Sequence, residues 1–115
     1  MSTIEELTAE IRTFRDARDW KQFHAPKEMA VALSVEASEL LQHFVWLSAE
    51  QSEKRVLEHK SQIADEIADV ALLLFELSDN LGLDLAREMR GKLARNEKRY
   101  PVSKARGSNK KYNEL

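Results

Sequence analysis

With 115 residues, 43% of them apolar, the chain has material for one domain with a modest core and no room for a second. Its 18 Lys and Arg against 20 Asp and Glu leave a net charge near -2, which excludes a general electrostatic grip on a nucleic-acid polymer or a membrane surface. With no cysteine there are neither disulfides nor thiolate ligands, so a metal must be held by oxygen or imidazole, a donor set that suits hard cations such as Mg²⁺ or Mn²⁺.

The opening MSTIEELTAE is acidic and lacks an apolar h-region. No apolar run approaches the roughly 18 residues of a membrane span, so a cytoplasmic protein is expected. Only 3 Gly and 2 Pro interrupt hydrophobic spacings of three and four, which predicts an all-α fold without strands. Thr3 with Glu6 forms a capping-box start, followed by a stripe of Ile4, Leu7, Ile11 and Phe14 that ends near Arg18. The stretch RDWKQFHAP then breaks the periodicity and places Trp20, Phe23 and His24 in a short connector before Pro26, which suits a first helical position. A second helix is predicted from about Pro26 to Leu47, with Met29, Leu33, Leu40, Phe44 and Leu47 on one face. Ser48 and Gln51 can cap another start, and a third helix is expected from about Glu53 or Gln62 to Asn80, stopping at Gly82. Asp84 caps a fourth, carrying Leu85, Met89 and Leu93 and stopped at Pro101. The remainder, PVSKARGSNKKYNEL, has little to bury and is expected to order on a ligand or a neighbouring subunit. The expected organisation is thus a bundle of about four to five helices over residues 1–101 and a basic tail over 102–115.

The third helix poses a physical problem, because IADEIADVALLLFEL mixes a nearly continuous apolar surface with acids. On a helical wheel Glu66 is flanked by Ile63, Ile67, Val70, Leu73, Leu74 and Leu77, with Asp69 one turn along the same face, while Asp65 and Glu76 fall further round toward solvent. The second helix repeats the pattern. Glu36 lies within the arc of Met29, Leu33, Leu40 and Leu47, with Glu39 at its edge near His43 and Trp46. Four carboxylates directed to the core side of two helices repel one another and resist desolvation. A divalent cation reverses the sign of that interaction, so Glu36, Glu39, Glu66 and Asp69 are read as an all-oxygen Mg²⁺ site. Their ordinary alternative is a solvated acidic face. A di-iron bundle is disfavoured because its ExxH pairs are absent.

The ordered set RDWKQFH, EASEL followed by VW, DEIAD, and KLARNEKRYP with a basic RGS tail resembles the all-α nucleoside triphosphate pyrophosphohydrolases of the MazG-like group, nearest to the dCTP pyrophosphatase branch. The likeness runs from about Thr3 to Leu115. It implies a helical protomer that dimerises and assembles to a tetramer, with Mg²⁺ held by Glu36 and Glu39 from one helix and Glu66 and Asp69 from the next. It also implies hydrolysis of a dNTP such as dCTP or a modified dCTP to the monophosphate and pyrophosphate, which cleans the nucleotide pool. By the same matching Trp20, Lys21, Gln22, Phe23, His24, Trp46 and Leu73 belong to the nucleotide pocket. Two positions depart from the pattern: Leu73 stands where a tyrosine is expected, and Ile11 where animal forms carry a histidine. Each exchanges a polar group for an aliphatic one, which weakens the case for cytosine selectivity.

Lys92, Asn96 and Arg99 share a face of the fourth helix with Tyr100 at its end, a set able to neutralise and orient phosphate oxygens, its alternative being a solvated basic face. In the tail, Lys104, Arg106, Lys110 and Lys111 either close over the triphosphate or serve solubility. The expected chemistry is attack of water on the α-phosphorus with pyrophosphate leaving, a metal offsetting charge and Glu36 accepting the proton. No GxxxxGK[ST] loop and no Ser or Cys nucleophile with a His partner stands out. The competing reading is a non-catalytic helical oligomerisation or regulatory module that binds nucleotide. The excess apolar surface of the third helix predicts a subunit interface under either reading.

Overall fold

The computed structural model describes residues 3–115, and among these there is no β-strand. The chain divides into two compact units, Met1–Gly82 and Leu83–Leu115. In the first, α1 runs Ile4–Asp16 from the expected capping box, the Glu6 amide donating to Thr3 Oγ1 at 3.1 Å and the Thr3 amide to Glu6 Oε2 at 3.2 Å. A left-handed Asp19 (φ 53°) and a 3₁₀ turn at Lys21–Phe23 carry the chain to α2, Pro26–Gln42, with Pro26 at its first position.

Two boundaries differ from expectation. Helix α2 ends at Gln42 rather than Leu47, because the chain tightens into short-range bonds (Phe44 amide to Leu41 oxygen, 2.9 Å; Leu47 amide to Phe44 oxygen, 3.2 Å) and Trp46 turns to φ 65°. The Ser48–Gln51 capping box then starts a separate helix, α3, Ala49–Glu58. His59, at φ -125° and ψ 29°, breaks it from α4, Lys60–Asn80, so of the two expected starts the one near Gln62 is close to the observed one and the one near Glu53 falls inside α3.

Helix α4 is the hub of this unit: α1, α2 and α3 all pack on it, and α2 most extensively. Met29 of α2 (2% exposed) and Ile63 of α4 (7%) are the buried apolar side chains among the described residues. Arg15, Glu76, Thr8 and Ser78 are buried as well; Thr8 and Ser78 satisfy their hydroxyls on the carbonyls of Ile4 and Leu74 in the preceding turn. At the end of the helix Arg12 of α1 grips Asp79 in a fork, Nε to Oδ2 at 2.8 Å and Nη2 to Oδ1 at 3.0 Å. Gly82, at φ 70°, takes the left-handed turn that ends the unit as the sequence predicts.

In the second unit Asp84 caps α5, Leu85–Arg99, through the Arg87 amide at 3.1 Å. Beyond Pro101 a single helical turn, α6, spans Val102–Ala105, and a 3₁₀ turn spans Tyr112–Glu114. The tail therefore has structure of its own: Tyr112 meets Tyr100 edge-on at 6.0 Å and lies under the Arg99 guanidinium at 4.8 Å. No helix among the described residues is long and apolar enough to cross a membrane.

Candidate active site

The packing of α2 on α4 brings three of the four expected acids together. Carboxylate oxygens of Glu36, Glu39 and Glu66 all lie within 4.8 Å of one another. Asp69 stands outside that tight group, yet its charge acts on both Glu36 and Glu66. Among the described residues no Lys, Arg or His comes within ion-pair distance of any of the four. The Glu36 carboxyl is held above the ordinary carboxylate range, first because the Glu39 carboxyl lies close enough to share a proton with it, then by burial and by the charges of Glu39, Asp69 and Glu66. The Glu66 carboxyl is raised first by burial, then by Glu39, Asp69 and Asp65.

One atom on each helix makes the consequence plain. Glu36 Oε2 and Glu66 Oε2 are buried and have no hydrogen-bond partner among the described residues. Orphaned buried oxygens of this kind are rare and costly, and two of them in an all-oxygen cluster without a neutralising side chain fit a hard divalent cation.

Beside the acids opens a cleft of about 470 Å³. Glu36 and Asp69 line it together with apolar residues of α1 and α4, among them Leu7, Ile11, Phe14, Leu72 and Leu73, and with Trp20 of the connector. Phe14 and Trp20 meet edge to face at 5.8 Å, and the Arg18 guanidinium covers the Phe14 ring at 3.7 Å.

His24, Arg15 and Glu76 add polar groups to the same wall. Glu76 corrects the sequence reading: instead of turning to solvent it is only 4% exposed, bonded to His24 Nδ1 and to Asn80 Nδ2. The missed signal was its spacing. Seven residues after Asp69, Glu76 returns to nearly the same face two turns on, and the Arg15 guanidinium and His24 ring that make its burial tolerable come from distant segments that a single-helix wheel does not include. Arg15, buried and on the cleft wall, was missed for the same reason.

The other expected ligand-binding residues separate into groups. Trp20, His24 and Leu73 line the cleft. Lys21, Gln22 and Phe23 sit in the exposed 3₁₀ turn, where Gln22 Nε2 donates to the Asp19 carbonyl at 3.0 Å, and they do not line it. Trp46 is 97% exposed in the α2–α3 loop and is also absent from the wall. In the second unit Asn96 and Tyr100 border a shallow groove with Arg90 and Leu93, Lys92 is exposed, and Arg99 is engaged with Tyr112.

The MazG-like family model matches residues 31–115, a span that contains all four acids and leaves α1 and the Trp20–His24 turn outside. Among curated proteins, the chain is 35% identical to dCTP pyrophosphatase 1 of Rattus norvegicus and 32% identical to that of Homo sapiens, in each case over 98% of this chain and 68% of the relative. Among solved structures, a pyrophosphatase from Archaeoglobus fulgidus aligns with a TM-score of 0.83 at 35% identity, covering 88% of this chain and 94% of its own.

Proposed function

The chain belongs to the MazG-like family, and from that premise we propose that it is a Mg²⁺-dependent nucleoside triphosphate pyrophosphohydrolase acting on a dNTP such as dCTP or a modified dCTP. The observation that carries this reading is the pair of buried oxygens of Glu36 and Glu66, unbonded among the described residues, with Glu36 lining an apolar cleft. Glu36, Glu39, Glu66 and Asp69 would hold the cation, with Mn²⁺ as a possible substitute. When bound, it supplies charge neutralisation for the phosphates and lowers the pKa of a water.

The chain's own residues set the rest. Trp20, Phe14, Leu72 and Leu73 give the base and sugar a dry wall. Glu36, which lines the cleft beside the acids, is the carboxylate proposed to accept the proton of the attacking water. Lys92 and Arg99, aided by Asn96 and Tyr100, are the groups proposed by resemblance to neutralise and orient phosphate oxygens. Ile11 and Leu73 carry no hydrogen-bonding group into the cleft, so neither reads a base edge. We retain the division into a catalytic domain over 1–101 and a basic tail over 102–115, and a cytoplasmic location, where the nucleotide pool lies.

The protomer is proposed to work as a dimer or tetramer. Val31 and Val35 on α2, and Ile67, Leu74 and Leu81 along or just beyond α4, are exposed at helical spacing, while among the described residues only Met29 and Ile63 are buried apolar side chains. The deciding experiment is a panel of canonical and modified NTPs and dNTPs assayed for Mg²⁺-dependent pyrophosphate. Release from at least one deoxynucleotide is expected, and no release from any of them ends the proposal.

A further inference from the structure

One side chain fixes the direction of the hydrogen bonds along the polar wall of the cleft. Arg15 carries only donors; at 3% exposure it directs Nε to Asp16 Oδ1 at 2.9 Å and Nη1 to Asn80 Oδ1 at 2.9 Å. With its oxygen engaged, Asn80 presents Nδ2 to Glu76 Oε2 at 3.0 Å. Glu76 is therefore an acceptor, with Arg15 Nη1 at 3.8 Å as its compensating charge. His24 Nδ1 lies 2.9 Å from Oε1 and 2.7 Å from Oε2 of that carboxylate and so must donate. Nε2, the other ring nitrogen, has no partner among the described residues, and the ring lines the cleft.

We propose that Glu76 is a positioning residue: through this relay from Arg15 it holds His24 in the Nδ1–H form and leaves Nε2 as the nitrogen that meets the nucleoside part of the ligand. The identity of the ligand rests on the proposed function. Asp69 and Glu76 are two turns apart on α4, about 10 Å along its axis. A nucleotide with its phosphates at the acids thus brings its sugar or base to the His24 ring, past Leu72 and Leu73.

The test begins without nucleotide. In a long-range ¹H–¹⁵N correlation spectrum of histidine-labelled protein, His24 should show a protonated Nδ1; an unprotonated Nδ1 overturns the inference. In Glu76→Gln the amide oxygen stays with Asn80 Nδ2 and the new NH₂ faces the ring, so the proton should move from Nδ1 to Nε2. KM for dCTP should then rise by roughly 10–100-fold, the range by which a metal-binding histidine is weakened when its orienting partner is lost, with kcat changing less. A wild-type ring signature and KM in E76Q refute the positioning role.

A second pair of variants stands if E76Q does not fold. His24→Asn places its amide where Nδ1 sits and keeps the tie to Glu76, whereas His24→Gln reaches the position of Nε2. Gln should retain a KM much nearer wild type than Asn, and a wild-type KM in H24N overturns the proposal. If the wild type releases no pyrophosphate from any nucleotide, the enzymatic reading falls, and the ring signature still decides this one.

Discussion

Glu36 on α2 and Glu66 on α4 face each other across the helix pair, each with one buried carboxylate oxygen that nothing among the described residues satisfies. If a cation is what makes that juxtaposition tolerable, Glu36→Gln or Glu66→Gln should lower Mg²⁺-dependent pyrophosphate release by roughly 100-fold or more, the scale of removing one preorganised electrostatic group. Helicity by circular dichroism should be unchanged, and the metal-free variants should melt no lower than wild type because a repulsive charge is gone. Wild-type turnover in either variant would remove the cluster from the chemistry.

The same two acids set a pH dependence. Both are raised above the ordinary value of 4.5, so the folded chain binds protons more tightly than the unfolded one. Stability of the metal-free protein is therefore highest below that value and falls as pH rises through the raised folded values. Mg²⁺ competes with those protons, so the gain in Tm on adding it should be small at pH 5 and several degrees at pH 8. Calorimetry at the two pH values checks this; a gain that shrinks with pH contradicts it.

Among the described residues Met29 is the most deeply buried apolar side chain, at 2% exposure. Met29→Ala should cost about 2–5 kcal/mol, transfer and cavity terms together. Urea unfolding is the measurement, with a drop in midpoint at unchanged slope.

Trp46 combines 97% exposure with a left-handed backbone, φ 65°. Holding a bulky non-glycine residue there is unfavourable, and its own protomer gives it no packing in return. Trp46→Ala should alter protomer stability by less than about 0.5 kcal/mol. If the indole covers a bound base, kcat/KM for dCTP should still fall by the equivalent of about 1–3 kcal/mol, one aromatic–base stack. An unchanged kcat/KM would exclude Trp46 from the pocket.

Assembly has its own probe. Val31 is 50% exposed on the outer face of α2, so Val31→Glu should leave the fold of the protomer intact and weaken self-association. Sedimentation velocity should show a shift toward monomer in the variant. A monomeric wild type at micromolar concentration would refute the assembly.

The helical class, both capping boxes, the Gly82 stop and the meeting of Glu36, Glu39 and Glu66 were legible because each depends on local spacing or on one pair of adjacent helices. The division of α3 from α4 was legible only as one of two possible starts, since His59 is no helix breaker by type. Glu76 and Arg15 escaped for a related reason: each reads as a surface residue on its own helix, and only the approach of α1 and the connector to α4 makes them one buried network.

Between Lys60 and Asn80 there is neither glycine nor proline, so α4 has no hinge. On the proposed reading the interval from Asp69 to Glu76 is a ruler of constant length, which cannot be stretched to fit a longer or shorter ligand. New preferences must arise by exchanging the side chains along its edge, Leu73 first among them. That leaves the acidic end untouched and lets substrate choice drift while the hydrolytic step stays the same.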